Sequence, residues 1–265
     1  MSEIEPEFRV LVDTPGWHRI KPRIPDTPQR RELEKQRRVR EFVFGAKDGI
    51  LTTMGVVTGV GVASGGRTAV LVSGLVALIA GSLSMAVGEY QGSKSEREVV
   101  RASIEMEKRE MQENPKDEFA EQVAYYKLKG FSADEAHLIV SRLAKNPEIY
   151  LYEMMRDEFG IDPRIADSSS MLPALAMGGS YALGSFVPIL PYFIPGLGKG
   201  NAVFASFALA LVGLFAIGVY AGSMSARNKW LRGLEIAFYG SIVFGLSFLA
   251  GHFIPPLFGQ KAAGF

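Results

Sequence analysis

The sequence predicts an all-α membrane protein, five transmembrane helices with a cytoplasmic helical domain between the second and third. Two observations predict it. First, charge is segregated along the 265 residues: no Asp, Glu, Lys or Arg falls in 68–88, 168–198, 200–226 or 236–260, and only Lys47 and Asp48 interrupt 42–66. A hydrocarbon core of about 30 Å takes roughly 20 helical residues, so each block is long enough to span. Second, the stretch 94–167 between two such blocks holds 17 acidic and 12 basic residues, a net charge of −5. The whole-chain average, a net charge of +1 with 48% hydrophobic residues, hides both features.

The boundaries that follow are a cytoplasmic N-terminal tail at 1–41, transmembrane helices 1 and 2 at 42–93, the inserted domain at 94–167, helices 3 to 5 at 168–258 and a C-terminal tail at 259–265. The tail carries no apolar core of signal-peptide length and turns helical near Gln29 to Glu41. Its Arg30, Arg31, Lys35, Arg37, Arg38 and Arg40 precede the first span, which the positive-inside rule places in the cytoplasm. Glu32 and Glu34 are interleaved with them, the pattern of a solvated helix face and not of a nucleic-acid surface. No nucleic-acid partner is expected.

The first span, FVFGAKDGILTTMGVVTGVGVASGG, has small residues on several faces. Gly45/Gly49, Gly55/Gly59 and Gly61/Gly65 are four apart and allow close backbone approach, including a contact between two subunits. Asp48 is costly at membrane depth and points either to an ion path or to an ion pair with Lys47. The second span returns to the cytoplasm and carries Met85 and Glu89 in its last turns. Antiparallel helices bring Asp48 and Met85 to a similar depth.

In the inserted domain, Asn114-Pro115 ends one helix and starts another, Ser132 with Glu135 reads as a capping box, and Asn146-Pro147 starts a further helix. Glu107/Glu110 and Glu118/Glu121 are three apart and Met154/Glu158 four apart, so each pair shares a helical face. Such a face is either solvated or loaded with a divalent cation, which would cancel the repulsion. With Glu153 and Met155 these residues form a candidate metal-binding set. No cysteine is present, which removes disulfides, thiolate sites and a cysteine nucleophile. His18, His137 and His252 are scattered, so metal chemistry falls to oxygen and thioether. Neither glutamate pair is followed by the Glu-x-x-His pattern of a di-iron enzyme, and no enzymatic activity is expected.

The third span holds Pro173, Pro188, Pro191 and Pro195, which kink it or open a cation path. An uncharged helix over 200–226 follows, then the basic loop with Arg227, Lys229 and Arg232, then the last span to about Pro256. With the N-terminus inside, the outer segments carry only Arg67, Lys199 and Lys261.

GAKDGILTT, SMAVGEY, the Glu-rich insert ending near EMMRDEFG, and SYALGSFVPILPY occur in that order. Together they resemble the vacuolar iron transporter (VIT, or CCC1-like) family from about Arg40 to Pro255. The resemblance implies a homodimer of five-span subunits exporting Fe2+, or Mn2+ and other divalent metal ions, from the cytoplasm by proton antiport, without a prosthetic group. It places Asp48 and Met85, with Glu89 nearby, on the transport pathway. Glu107, Glu110, Glu118, Glu121, Met154, Met155 and Glu158 fall on cytoplasmic metal-binding positions, with Glu153 adjacent. The chain departs from plant members in having only apolar or small residues from Leu71 to Leu83. A Glu/Met mixture is softer than carboxylate alone and suits later transition ions. A second reading is a membrane-anchored iron-sequestering or iron-sensing protein. Short loops suggest a prokaryotic inner membrane, with a vacuolar membrane as the alternative.

Overall fold

A computed structural model of the chain describes residues 28–64, 66–224 and 228–258, with the side chains of all of these except 28–38 and 64. The expectations for 1–27, Gly65, Arg227, the side chains of Arg30 to Arg38 and the 259–265 tail lie outside the described residues.

The described residues are almost wholly helical: α1 (Pro28–Ser64), α2 (Arg67–Glu113), α3 (Pro115–Leu128), α4 (Ala133–Leu143), α5 (Pro147–Glu158), a 3-10 turn (Pro163–Asp167), α6 (Met171–Ile189), a second 3-10 turn (Leu190–Phe193), α7 (Lys199–Ser223) and α8 (Lys229–Leu257). They divide into two compact units. One is Gly92–Ser169; the other joins Pro28–Gln91 with the chain from Ser170.

Four helices, α2, α6 with its 3-10 turn, α7 and α8, are long and apolar enough to cross a membrane, and the protein is an integral membrane protein. The first expected span is not in that set. Lys47, Asp48 and the threonines and glycines of α1 lower its mean hydropathy. Those residues have a packing reason: α1 lies against α6, α7 and α8, so protein covers much of it. Ile50 and Met54 of α1 join Ala210, Leu214 and Ile236 in one apolar core, and Val57 joins Val70, Ile189, Tyr192, Ala202 and Val203 in another.

The glycine pairs of α1 are used within the chain. A Cβ on Gly49 would lie 2.2 Å from the Tyr181 carbonyl oxygen, and one on Gly184 would lie 2.1 Å from that of Ala46, so α1 and α6 touch backbone to backbone. Gly55 faces Ser247 and Val243 of α8, and a Cβ on Gly59 would stand 3.6 Å from the Ser247 carbonyl oxygen. Within the chain, α8 covers part of the Gly55/Gly59 face. Pro188 breaks the amide ladder of α6, and the Ser206 hydroxyl donates to the Pro188 carbonyl at 2.6 Å.

In the other unit two of the three expected caps form. Ser132 and Glu135 form a reciprocal capping box, and the Asn146 side chain accepts from the Ile149 amide. Asn114 precedes Pro115 without a side-chain cap bond. Gly130, at φ +99, ends α3: its N–H donates to the Lys127 carbonyl and that of Phe131 to the Tyr126 carbonyl. The short helices then pack around the C-terminal part of α2 on a core of Val100, Ile104, Met111, Val140, Tyr150 and Leu151.

Candidate metal centre

Glu107 stands in the apolar seam of α2. Val100, Ile104, Glu107 and Met111 follow one another at spacings of four, three and four, so all four side chains share the face that meets the core. Their exposures are 3%, 7%, 0% and 0%. A carboxylate carried into that seam loses its water. Both Glu107 oxygens are buried and meet no hydrogen-bond donor at bonding geometry among the described residues.

What stands near Glu107 is more carboxyl groups. Burial, then the charges of Glu158, Glu118 and Glu110, push Glu107 up to about 9. Glu118, on the buried side of α3, is pushed up to about 7 by burial and then by Glu110, Glu121 and Glu158. Glu158, at the end of α5, is also raised, by burial first and Glu121 second. Five glutamates from three helices thus act on one another, and a proton on Glu107 is what lets Glu118 and Glu158 lie alongside it. Removing that proton leaves an uncompensated buried charge unless a cation replaces it.

Two tyrosines border the cluster that spacing arguments on the acids had missed. Tyr150 is fully buried, and its phenol is held well above the ordinary value by burial and by Glu118 and Glu107. The Tyr125 phenol is raised by burial and then by Glu121 and Glu158. Both stay protonated at any ordinary pH. The signal for Tyr150 was present: Tyr150, Met154 and Glu158 are spaced four apart along one face of α5. Beside them, Gln122 and Lys129 both donate to Asp157, which ties α3 to α5.

The predicted set is thus brought together only in part. Glu107, Glu110, Glu118, Glu121 and Glu158 converge. Glu153 acts on Tyr126 and does not figure among the groups that perturb Glu107, Glu118 or Glu158. Met154 and Met155, at 2% and 0% exposure, lie in the hydrophobic core with Met111 and Leu151. Among the described residues no three His, Asp or Glu side chains stand at ligating geometry around one point. Loading the cluster therefore needs rotation of side chains, which exposed Glu121 and half-buried Glu110 can supply.

In the membrane unit, the Tyr181 hydroxyl reaches Thr52 and Ser185 and feels the charge of half-buried Asp48. The Ser185 hydroxyl donates in turn to the Gly49 carbonyl at 3.3 Å. The Tyr181 ring rests on Gly81 of α2. Met85 and Glu89 follow Gly81 at intervals of four, on the same helical face. Met85 therefore shares a helical face with the glycine that Tyr181 covers. Tyr181, Thr52 and Ser185 escape a reading by charge, because uncharged hydroxyls in a span look like packing.

A sequence model of the VIT family matches residues 39–252. The chain is 32% identical over 213 residues to vacuolar iron transporter 1 of Arabidopsis thaliana, covering 79% of this chain and 83% of that protein. It is 31% identical over 207 residues to vacuolar iron transporter 1 of Oryza sativa subsp. japonica, covering 77% and 80%. Protein CCC1 of Saccharomyces cerevisiae is 27% identical over 215 residues, covering 78% of this chain and 66% of that protein.

Proposed function

This chain belongs to the VIT family, and on that premise we propose that it carries Fe2+, or a similar divalent ion such as Mn2+, out of the cytoplasm in exchange for protons. One observation supports this reading above the others: both oxygens of Glu107 are buried without a donor, beside Glu118 and Glu158, and burial with mutual repulsion raises the proton affinity of all three. Such a cluster exchanges protons for a cation, which is the elementary step of antiport. Asp48, Tyr181 and Met85 line the intramembrane part of the route, where one carboxylate alternates between cargo and proton.

In this reading α1 is the fifth span. Its glycines meet α6 and α8, and Thr53 and Thr58 are buried, which accounts for small and polar residues that lower its hydropathy. The 94–167 domain lies in the cytoplasm, on the side of the basic N-terminal tail. The protein works as a homodimer. Val72, Val76, Ile79, Leu83 and Val87 of α2 are exposed at helical spacing and supply an apolar face for a second copy. A cell membrane and a vacuolar membrane give the same direction relative to the cytoplasm.

The test is uptake of Fe2+, Mn2+, Co2+ and Zn2+ into proteoliposomes with and without a pH gradient, inner pH being followed at the same time. Metal entry accompanied by proton exit is the expected result. Metal binding with no movement of either ion would refute transport.

A further inference from the structure

At one end of the membrane unit, the last turns of α1, the first turns of α2 and α7 and the 3-10 turn after α6 border a cavity that opens to solvent beside the exposed Arg67 and Lys199. Gly61, Arg67, Val70, Tyr192, Lys199 and Val203 line it. Its two charged residues are both cationic. Arg67 is fixed by one nitrogen, its Nε donating to the Tyr192 carbonyl at 2.6 Å, which leaves the two terminal nitrogens of the fork for another acceptor. The Tyr192 ring is held by its hydroxyl, which donates to the Val57 carbonyl at 3.5 Å. A Cβ on Gly61 would come within 3.1 Å of Val203 and 3.2 Å of the Tyr192 hydroxyl, so glycine keeps the cavity open.

The segments that line the cavity supply no counter-charge. Asp and Glu are absent from 49–88 and from 168–234, the segments that contribute every lining residue. Arg67 and Lys199 are also the first residues of α2 and α7, whose first turns hold no acid. A cation at the positive end of a helix is unfavourable, and here two such ends meet in one cavity. An anion would relieve both.

We propose that this cavity binds a phosphate group. The guanidinium fork of Arg67 matches two phosphate oxygens, and Lys199 adds a point charge. The apolar walls formed by Val70, Leu197 and Val203 favour a phosphate that carries an acyl-ester root, as in an anionic phospholipid, over the free ion. The bound group clamps the α1–α2 turn to the start of α7. The two cations also make the cavity unsuitable for the transported metal, so this site is separate from the route through Asp48.

The test uses the purified, delipidated full chain. Thermal stability and native mass spectrometry are followed with inorganic phosphate, short-chain phosphatidylglycerol and short-chain phosphatidylcholine. Phosphatidylglycerol is expected to bind and to raise Tm, and Lys199→Gln to weaken it about tenfold, the worth of one charge-assisted contact. Lys199→Arg should restore binding. Arg67→Gln should weaken binding further, but Lys199, which makes no structural ion pair, carries the decision if that variant fails to fold. An equal response to inorganic phosphate would identify the free ion as ligand; a response to phosphatidylglycerol alone identifies the lipid headgroup. Equal binding of phosphatidylcholine, wild-type affinity in Lys199→Gln, or no response to either phosphate source would overturn the proposal.

Discussion

The ring of Tyr181 occupies the space where Gly81 would carry a side chain. A Cβ there would lie 2.2 Å from the phenolic oxygen and 2.4 Å from two ring carbons. This contact holds the hydroxyl beside Thr52 and Ser185, where it feels the charge of Asp48. Replacing Gly81 by Val should swing the ring away and cut metal flux in proteoliposomes at least tenfold, because small misplacements at a reacting group are costly. Gly88→Ala on the same helix, with nothing within 4 Å, should transport normally. Wild-type flux in a folded Gly81→Val protein would remove Tyr181 from the pathway.

Asp48→Asn should abolish transport and leave metal binding by the 94–167 glutamates unchanged. The substitution removes the only acid of α1 between Gly45 and Ser64 and nothing from the other unit. Calorimetry with Co2+ on the full chain, beside flux measurement, separates the two effects. A loss of both would mean that Asp48 supports folding instead of conduction.

Much of this architecture is legible in charge alone. The apolar blocks reveal α2, α6, α7 and α8, since a span facing lipid must be apolar on most of its surface. Charge counting includes α1 as well, whereas mean hydropathy understates it, because a helix packed against others is free to hold Asp48, threonine and glycine. In the soluble unit, the Asn-Pro and Ser-x-x-Glu signals are local and read correctly, as at Ser132 and Glu135. Glu107 is the instructive residue. Paired with Glu110 it looks like part of a solvated acidic face, but the register Val100, Ile104, Glu107, Met111 marks it as a core position. Met154 and Met155, singled out by residue type, lie in the hydrophobic core, a placement that residue type alone does not reveal.

The raised Glu107 has a consequence for stability without metal. A carboxyl whose folded value lies above its unfolded one stabilises the fold fully below the unfolded value, and that stability is lost as pH rises through the folded one. For Glu107 the loss runs from about 4.5 toward about 9, and for Glu118 from about 4.5 toward about 7. The metal-free protein should therefore melt several °C lower at pH 8.5 than at pH 5.5. Glu107→Gln, which keeps the shape and removes the charge, should flatten that slope and raise Tm at the higher pH. A chelated sample with equal Tm at both values, in wild type and variant alike, would show that Glu107 is solvated.

Metal affinity should follow the opposite course. Spacing alone would place the fall in affinity at pH 4–5, the range of an ordinary glutamate. Burial and mutual repulsion move it upward, because a cation entering the cluster must displace the protons that Glu107 and Glu118 hold. Between the two values near 7 and 9, where Glu107 alone keeps its proton, affinity should rise about tenfold per pH unit, and it should rise more steeply below 7, where both protons must leave. Isothermal calorimetry with Co2+ in buffers of different ionisation enthalpy counts the protons released directly. Glu107→Gln should weaken binding by at least tenfold and reduce the proton count by about one. Replacing Glu96 and Glu98, which take no part in the cluster, should change neither quantity. If affinity is flat from pH 6 to 9 and no protons appear, the glutamates bind as ordinary exposed carboxylates and the exchange of protons for metal does not occur in this unit.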